Sequence, residues 1–456
     1  DVYKRQGSFL SLIGRIINLF LTFVSIILIA RFLTRHEYGT FYLAFAIFNI
    51  LSTISSMGLP DGVARFISFY TGKNDKRKIY GAIASSLKIS LALSTLISIT
   101  IYILSDVISI AIFNNLYLSS VLRVFALALP FFVLLNMIVS VFRGFSNVEV
   151  KFYFQDLAVN FLRIPLILVV IYIGGSLVSI SYAFVLPIFI VIILLVIYSL
   201  KQDFWGRGEY LGKKLLLFSI PLLVQGVLSL LLSWTDTIML GYFSTFEDVG
   251  LYNVAASIAK LLSIGLASLT FVYIPVTSQL HGQKKIAEIR RLYTLVTKWV
   301  VIVTLPAFFL FFLLPELSIF IFFGEKYAPA SSTLKILCLG FLVEVIFGPN
   351  FATLAVMGKS KTIMLDSLIG GLINFVLNLY LIPMYGILGA ALATTLSLVL
   401  FNILAFTQLY IIGKINPFSR NYFKILASSI ISAGIITVFI RQILQYTVLF
   451  FFFSLL

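Results

Sequence analysis

The sequence has little charge and almost no cysteine or histidine. Only 11% of its 456 residues are charged, 61% are hydrophobic and the mean hydropathy is +1.09, whereas a soluble domain carries about 25% charged residues. The single Cys338 excludes an internal disulfide, and two distant histidines without a cysteine cluster do not suggest a metal site. Because so apolar a chain cannot present a surface that water tolerates, we expect an integral membrane protein. Soluble enzymes, secreted domains and nucleic-acid-binding proteins are excluded, despite the net charge of +16.

Signatures of an enzyme are also missing. The phosphate-binding loop Gly-x4-Gly-Lys-Ser/Thr does not occur, since Gly358-Lys359-Ser360 lacks the rest of it. The longest polar stretch, 201–214, is only a connector, so no soluble catalytic domain fits between the apolar runs. We therefore expect no enzymatic activity and no cofactor. Any transport work would draw on an ion gradient, on the substrate's own gradient or on a partner.

Long apolar runs fill the chain instead. A membrane-spanning helix needs about 20 apolar residues, and we predict fourteen spans at 8–33, 37–69, 80–105, 117–142, 154–174, 177–199, 213–241, 251–280, 294–314, 331–357, 361–384, 386–412, 421–440 and 443–456. The last is short, which suggests a truncated C-terminus. Residues 1–6 resemble the product of a sequencing adapter and lack an initiator methionine, so we expect them to be non-native.

The basic residues of the loops predict the orientation. Nineteen lysines and arginines lie in the even-numbered loops and four in the odd-numbered loops. Because positive loops stay in the cytoplasm, we expect a multi-pass protein of the cytoplasmic membrane with its N-terminus in the cytoplasm. The alternation also supports the number of predicted helices.

The chain resembles itself at a nearly constant offset. Gly39 and Gly250 are 211 residues apart, and three further pairs are 214 residues apart at matching positions: Gly144 and Gly358, Asn160 and Asn374, and Gly175 and Gly389. We interpret this as two six-helix halves in parallel repeat, a plan typical of transporters, although chance similarity of apolar helices is the alternative. The predicted domains are an N-terminal lobe at 7–206, a C-terminal lobe at 207–414, and two further helices at 415–456.

Charged residues within the predicted spans are the main functional signal, because each is costly in a bilayer unless it faces water or a partner. The cations outnumber the acids in the first half, which favours an anionic substrate held by guanidinium groups. The candidate substrate-binding residues are Arg15, Arg65, Arg123, Arg163 and Lys260. Snorkelling to the membrane surface is the alternative, above all for Arg65 and Lys88.

Three acids within the spans could couple transport to an ion: Asp61, Asp236 and Glu344. A buried carboxylate can carry a proton or bind a cation. Structural pairing with a nearby cation is the alternative for each, and we favour it for Asp366. The polar helix residues Asn160, Asn374 and Asn378 line a lumen or tie helices together.

Two proline–glycine segments interrupt spans. They are Gly58-Leu59-Pro60-Asp61-Gly62 and Gly348-Pro349-Asn350. Proline leaves a backbone carbonyl without its donor and kinks a helix, so Gly58, Pro60 and Pro349 are candidate hinges. Ordinary kinked packing is the alternative.

Several short motifs, taken in order, resemble the Wzx-type polysaccharide-biosynthesis flippases of the multidrug/oligosaccharidyl-lipid/polysaccharide exporter superfamily. The resemblance covers essentially the whole chain. It rests on Ala30-Arg31-Phe32-Leu33, Glu37-Tyr38-Gly39, Gly58 to Arg65, Ser219-Ile220-Pro221-Leu222, Trp234 to Gly241, Val249 to Asn253, and Asn378 to Gly386 followed by Gly389-Ala390-Ala391.

The resemblance implies an all-α membrane protein with a MATE-like fold, whose two six-helix lobes surround a central cavity. It implies a flippase that moves polyprenyl-diphosphate-linked oligosaccharide to the outer leaflet by alternating access. Arg15, Arg65 and Lys260 match, by position, cavity cations that hold the diphosphate. The implied partners are that lipid-linked glycan, membrane lipids and a glycan polymerase or glycosyltransferase; we expect a monomer that binds no nucleic acid.

Two other transporters remain as alternatives. A lipid II flippase of the same superfamily shares the cationic cavity and the fourteen helices. A multidrug/cation antiporter would have twelve helices and an acidic lumen, which makes it the weaker alternative.

Overall fold

The computed structural model describes residues 2–202, 204–418, 422–424 and 427–428. Side chains are described from residue 17 onward, except 231 and 232, and Gly14 is described as well. Within this part of the chain every regular element is helical. The sixteen α-helices are α1 Val2–Phe32, α2 Arg35–Ser56, α3 Leu59–Thr71, α4 Lys76–Val107, α5 Leu116–Gly144, α6 Val159–Tyr172, α7 Leu177–Leu200, α8 Gly212–Phe243, α9 Phe246–Ala259, α10 Ile264–Gly282, α11 Ile286–Leu313, α12 Pro315–Phe323, α13 Ser331–Phe347, α14 Asn350–Val356, α15 Ser360–Tyr385 and α16 Ile387–Gly413.

Four tighter or wider helical segments extend these helices. Ile108–Ile112 and Lys151–Ala158 are π-helical, and Lys260–Ser263 and Glu325–Ala330 are 3-10 helical. Eleven helical segments of the described residues are long and apolar enough to cross a membrane. The predicted all-α membrane fold is therefore confirmed. Each of the first twelve predicted spans overlaps a helix, and the last two lie almost wholly outside the described residues, so the number fourteen stays a prediction.

Both predicted interruptions are present as breaks between helices. Met57 and Gly58 adopt left-handed backbone conformations between α2 and α3, with φ of 51° and 66°. Gly348, with φ of 71°, separates α13 from α14. Such a φ costs glycine no steric strain. Pro60 fits the first turn of α3, and Pro349 is the N-cap residue of α14.

The chain divides into two compact units. The first comprises Asp1–Val254 with Asn374–Ala390, and the second comprises Ala255–Ile373 with Ala391–Leu456. In the first unit, α5 is the central helix and packs against α2, α3, α4 and α7. Buried serines at every fourth position of α4, from Ser86 to Ser98, allow close approach to α5, and the Ser98 hydroxyl donates to the Ala126 carbonyl at 2.6 Å.

The second unit has its own buried cluster. Tyr273 of α10, Ile289 and Tyr293 of α11, Leu354 of α14 and Leu409 of α16 form its centre. The Tyr273 hydroxyl lies 2.8 Å from that of Thr353, so the cluster contains a satisfied polar pair. This packing fixes the short α14 beside α10.

The starts of α2 and α9 are capped in the same way. Thr34 and Glu37 exchange hydrogen bonds, with the Glu37 amide donating to Thr34 Oγ1 at 3.2 Å and the Thr34 amide donating to Glu37 Oε2 at 2.9 Å. Thr245 and Asp248 repeat this capping box at 3.2 and 3.4 Å. The two boxes are offset by 211 residues, as are Gly39 and Gly250.

These two helix starts contact each other through the paired glycines. A Cβ atom on Gly39 would lie 1.7 Å from the Phe246 carbonyl oxygen, and one on Gly250 would lie 2.6 Å from the Arg35 carbonyl oxygen. The backbones therefore approach as closely as glycine allows. Both partners belong to the first unit, where the contact joins α2 to α9.

Candidate functional site

A pair of hydrogen bonds in the first unit repeats at the same sequence separation. The Thr22 hydroxyl of α1 donates to Asn160 Oδ1 of α6 at 3.4 Å, and Asn374 Nδ2 of α15 donates to Asp236 Oδ1 of α8 at 3.3 Å. Each pair is 138 residues apart, and the two pairs are offset by 214 residues. Such matched contacts are what a parallel repeat requires. We call the surroundings of Thr22 and Asn160 the first node, and those of Asp236 and Asn374 the second node.

The second node is built around a buried carboxylate. Asp236 is 5% exposed. Tyr252 Oη donates to its Oδ2 at 2.6 Å, and Asn378 Nδ2 donates to its Oδ1 at 2.6 Å, in addition to the longer bond from Asn374. Three donors from two other helices fix the carboxylate and satisfy a charge that would otherwise be costly in the membrane.

The second node also contains an oxygen without a donor. Asn378 Oδ1 is buried and accepts no hydrogen bond from the described residues. Asn374 Oδ1 lies close by, where it accepts from Asn378 Nδ2 at 3.1 Å. Carboxylate and amide oxygens are the groups that bind hard cations in proteins. The node therefore offers the chemistry of a cation site.

The first node is built around a cation. Arg163 is 8% exposed; its Nη1 donates to Asn160 Oδ1 at 2.9 Å, and its Nε donates to the Phe184 carbonyl at 3.1 Å. The guanidinium carbon also lies 3.9 Å from the centre of the Phe184 ring. Asp156 lies in the adjoining π-helical segment, where its Oδ1 accepts from Asn18 Nδ2 at 2.9 Å.

A residue-by-residue comparison shows that the nodes differ in charge. At the offset of 214, Thr22 corresponds to Asp236 and Ile164 to Asn378; at the offset of 211, Phe41 corresponds to Tyr252. The first node therefore lacks a carboxylate, a phenol and a second amide at these corresponding positions, and its own carboxylate and second amide, Asp156 and Asn18, come from other positions. Only the paired asparagines are shared.

A charged surface of the first unit surrounds the break between α2 and α3. Arg143 of α5 donates from Nη2 to Asp61 Oδ1 at 2.7 Å and to the Pro60 carbonyl at 3.0 Å. Arg65, one helical turn after Asp61, is exposed and stacks over Phe218 of α8 at 4.1 Å. A Cβ atom on Gly58 would lie 2.5 Å from the Ser219 carbonyl oxygen, so α8 packs directly on the break. The structure thus places four predicted residues near one another: Gly58, Pro60, Asp61 and Arg65.

Two predicted residues of the second unit lie near the short 3-10 segment between α9 and α10. Lys260 begins this segment and is exposed. Ser263 ends it, and its hydroxyl donates to Glu344 Oε2 of α13 at 2.8 Å. The segment therefore carries an exposed cation and, three residues later, a hydroxyl that binds the partly buried carboxylate of α13.

The break at Pro349 is braced by two tyrosines. Tyr293 Oη of α11 donates to the Phe347 carbonyl, and Tyr422 Oη donates to the Ile346 carbonyl at 2.9 Å. These carbonyls end α13, where no helical amide follows to bond them. Hydrogen bonds from the two tyrosines therefore stabilise the break between α13 and α14 at Pro349.

Of the two remaining predicted cations, Arg123 lies apart from these groups. Arg123 Nη2 pairs with Asp106 at 2.5 Å and its Nε donates to Ser105 Oγ at 2.9 Å, on the exposed ends of α4 and α5. Arg15 belongs to α1, but its side chain lies outside the described residues. Its role stays a prediction.

Comparison with known proteins settles the family. A family model described as polysaccharide biosynthesis protein matches residues 5–281, and a second, MatE, matches residues 221–380. The chain belongs to the polysaccharide biosynthesis protein family. It is 26% identical over 416 residues to an uncharacterised membrane protein of Methanocaldococcus jannaschii, covering 85% of this chain and 80% of the relative. It is 29% identical over 220 residues to "Probable flippase AglR" of Haloferax volcanii, covering 47% of this chain and 44% of that protein.

Solved structures share the fold of this family member. A multidrug resistance MATE family transporter of the MOP superfamily in an inward-facing conformation has a TM-score of 0.74 at 16% identity, over 86% of this chain and 94% of that one. The lipid II flippase MurJ in an inward closed conformation has a TM-score of 0.71 at 15% identity, over 97% and 99%. The expected MATE-like fold is confirmed, and the chain is a multi-pass membrane protein.

Sequence reasoning missed several residues of the two nodes. Tyr252, Asn18, Asp156 and Phe184 carry no signal alone, because their roles depend on helices distant in sequence. The offset of 214 residues that relates Asn160 to Asn374 also relates Thr22 to Asp236, so it could have added Thr22 to the predicted ion-coupling candidate Asp236.

Proposed function

We propose that this transporter flips polyprenyl-diphosphate-linked oligosaccharide, a polysaccharide repeat unit, from the cytoplasmic to the outer leaflet of the cytoplasmic membrane by alternating access. The family assignment and the flippase name of the Haloferax relative support this proposal. The observation that carries it is the exposure of cations within spanning helices, at Arg65 and Lys260. Cations in the bilayer are tolerated where they serve a polar ligand.

Arg65 is suited to the diphosphate by its surroundings. Its contact in the described part of the chain is the Phe218 ring, because the neighbouring Asp61 pairs with Arg143 instead. Stacking on a ring orients the guanidinium plane and leaves its N–H groups along the edge, where they can bind two phosphate oxygens. Phe218 thus acts as a platform.

Lys260 is the corresponding candidate in the second unit. It is the fifteenth of the 37 residues in the spanning segment Phe246–Gly282, far from both ends. The residue is exposed there. A compact charge at this depth suits a phosphate. We propose that Arg15, whose side chain is not described, is a third contact.

The second node is the candidate site for a coupling ion. Among the three acids predicted for this role, Asp236 is the buried one, held by three hydrogen-bond donors, whereas Asp61 is exposed and paired with Arg143. Asn378 Oδ1 is buried and accepts no hydrogen bond from the described residues. A bound Na⁺ or H₃O⁺ would give this oxygen a partner, which supports a cation site at the second node. We propose that Asp236 carries the ion, with Glu344 as the second choice. Association with a glycan polymerase or glycosyltransferase, as a monomer with its N-terminus in the cytoplasm, is part of this proposal.

Replacing Arg65 or Lys260 with glutamine should weaken diphosphate binding. A hydrogen bond to a charged group is worth about 1.5–3 kcal/mol, so each of Arg65→Gln and Lys260→Gln should raise the Kd by about tenfold or more. The measurement is binding of polyprenyl diphosphate to the protein in nanodiscs. Neutral polyprenol should bind all variants equally, because it lacks the charged group.

Lys201→Gln is the matched control, since Lys201 is an exposed cation just beyond the end of α7. Its Kd should equal that of the wild type. Wild-type diphosphate affinity in both test variants would contradict the proposed contacts.

A further inference from the structure

Arg163 is a buried cation in the middle of a spanning helix. It is the thirteenth of the 22 residues in the segment Lys151–Tyr172 and is 8% exposed. An arginine at that depth is expected to have a functional reason. Because it is enclosed, it cannot be explained as a side chain that snorkels to the membrane surface.

Neutral groups satisfy this cation. Its hydrogen bonds go to Asn160 Oδ1 and to the Phe184 carbonyl, and its guanidinium lies against the Phe184 ring. No carboxylate of the described residues forms an ion pair with it. Phe184 lies about one turn before Pro187 in α7. Because proline has no backbone N–H, the helix lacks one of its backbone hydrogen bonds beside Phe184. The positive charge is therefore stabilised by two neutral oxygens and by the face of an aromatic ring. A binding site for a free cation uses the same kinds of group.

Comparison of the two nodes shows which hydrogen-bonding position the Arg163 guanidinium occupies. In the second node, Asn374 Oδ1 accepts from Asn378 Nδ2. In the first node, the equivalent Asn160 Oδ1 accepts from Arg163 Nη1 instead. The second node has a carboxylate and an undonated amide oxygen, whereas in the first node the shared asparagine oxygen is already engaged by a positive charge.

We propose that Arg163 is a tethered cation that permanently occupies the first node, so that a mobile cation binds at the second node alone and one cation is coupled to each headgroup. This inference rests on the proposed role of Asp236. Arg163 is a positioning residue in this scheme, because it fills a site and touches no substrate. Removing its side chain would leave a space lined by Asn160 Oδ1 and the Phe184 carbonyl, with the Asp156 carboxylate on the preceding turns. That space would bind a guanidinium ion or a small monovalent cation.

The first test is chemical rescue of Arg163→Ala. The variant should melt below the wild type, and millimolar guanidinium chloride should raise its melting temperature by several degrees, in a saturable manner. Urea, which has nearly the same shape without charge, should not do so at the same concentration. Guanidinium should leave the melting temperature of the wild type unchanged. A folded variant that responds equally to guanidinium and urea overturns the proposal.

The second test is the steepness of ion dependence, which a merely structural role would not alter. Flipping in proteoliposomes is measured as external Na⁺, and separately H⁺, is varied. The wild type should show a Hill coefficient of one, and Arg163→Ala should show a value approaching two, because the vacated node then binds an ion as well. A wild-type coefficient of two, or rescue by guanidinium without a steeper dependence in the variant, overturns the proposal.

A second pair of variants keeps the proposal testable if Arg163→Ala does not fold. Arg163→Lys retains the charge and Arg163→Gln retains only hydrogen bonding, so the lysine variant should be the more stable and more active of the two. Equal behaviour overturns the proposal. Loss of ion dependence in Asp236→Asn reports on the proposed function, whereas guanidinium rescue does not require Asp236, so the two can fail separately.

Discussion

Asp236→Asn should abolish the stimulation of flipping by an ion gradient. Asparagine retains the size of the side chain but removes the charge that three donors, Tyr252, Asn374 and Asn378, converge upon. A cation held by the carboxylate loses its only charged ligand in the second node, and even one hydrogen-bonded charge pair is worth about 1.5–3 kcal/mol. We therefore expect ion stimulation to fall by about tenfold or more, measured as the initial flipping rate in proteoliposomes with and without an imposed Na⁺ or H⁺ gradient.

Asp106→Asn is the control for this prediction. Asp106 is an exposed acid that pairs with Arg123 at the end of α4, outside both nodes. Its variant should respond to the gradient as the wild type does. Retained ion stimulation in Asp236→Asn, together with its loss in Glu344→Gln or Asp61→Asn, would assign coupling to a different acid.

Gly39→Val should separate the starts of α2 and α9 and destabilise the first unit. The new Cβ would lie 1.7 Å from the Phe246 carbonyl oxygen, a backbone atom that no rotamer change can move. Overpacking typically costs about 1–3 kcal/mol, and a contact with backbone belongs at or above the upper end of that range. We expect a clear fall in the melting temperature in detergent, and loss of monodisperse protein at physiological temperature.

Gly282→Ala is the matched control, because a Cβ on this helical glycine at the end of α10 has no neighbour within 4 Å. It should melt as the wild type does. A Gly39→Val protein with wild-type stability would show that the two helix starts do not require their close contact.

Much of the fold follows from local sequence. The breaks at Gly58 and at Gly348-Pro349 could be predicted, because left-handed glycine and a helix-starting proline act through local sterics. The glycine pair was also visible in the sequence, and Gly39 and Gly250 lie where two backbones approach closely. The short helix α12 was not predicted, because its nine residues are too few to span a membrane and fell in the loop between the predicted spans 294–314 and 331–357.

The site was less predictable, because a cation's role depends on its tertiary partners. The sequence places Arg123 and Arg163 alike within predicted spans. In the structure, Arg123 pairs with the exposed Asp106. Arg163 is instead enclosed by Asn160 and Phe184. Hydropathy assigns the two arginines the same cost. Only the packing of α5 beside α4, and of α6 beside α7, distinguishes them.

The most direct test of the proposed function is leaflet transfer in proteoliposomes with three substrates: a polyprenyl-diphosphate oligosaccharide, lipid II and a cationic dye. We predict protein-dependent transfer of the oligosaccharide lipid, stimulated by an ion gradient and lost in the Arg65→Gln/Lys260→Gln double variant. Transfer of lipid II in preference to it would assign the protein to cell-wall synthesis. Transfer of the dye alone would contradict the account, because a cationic substrate does not fit sites built from Arg65 and Lys260.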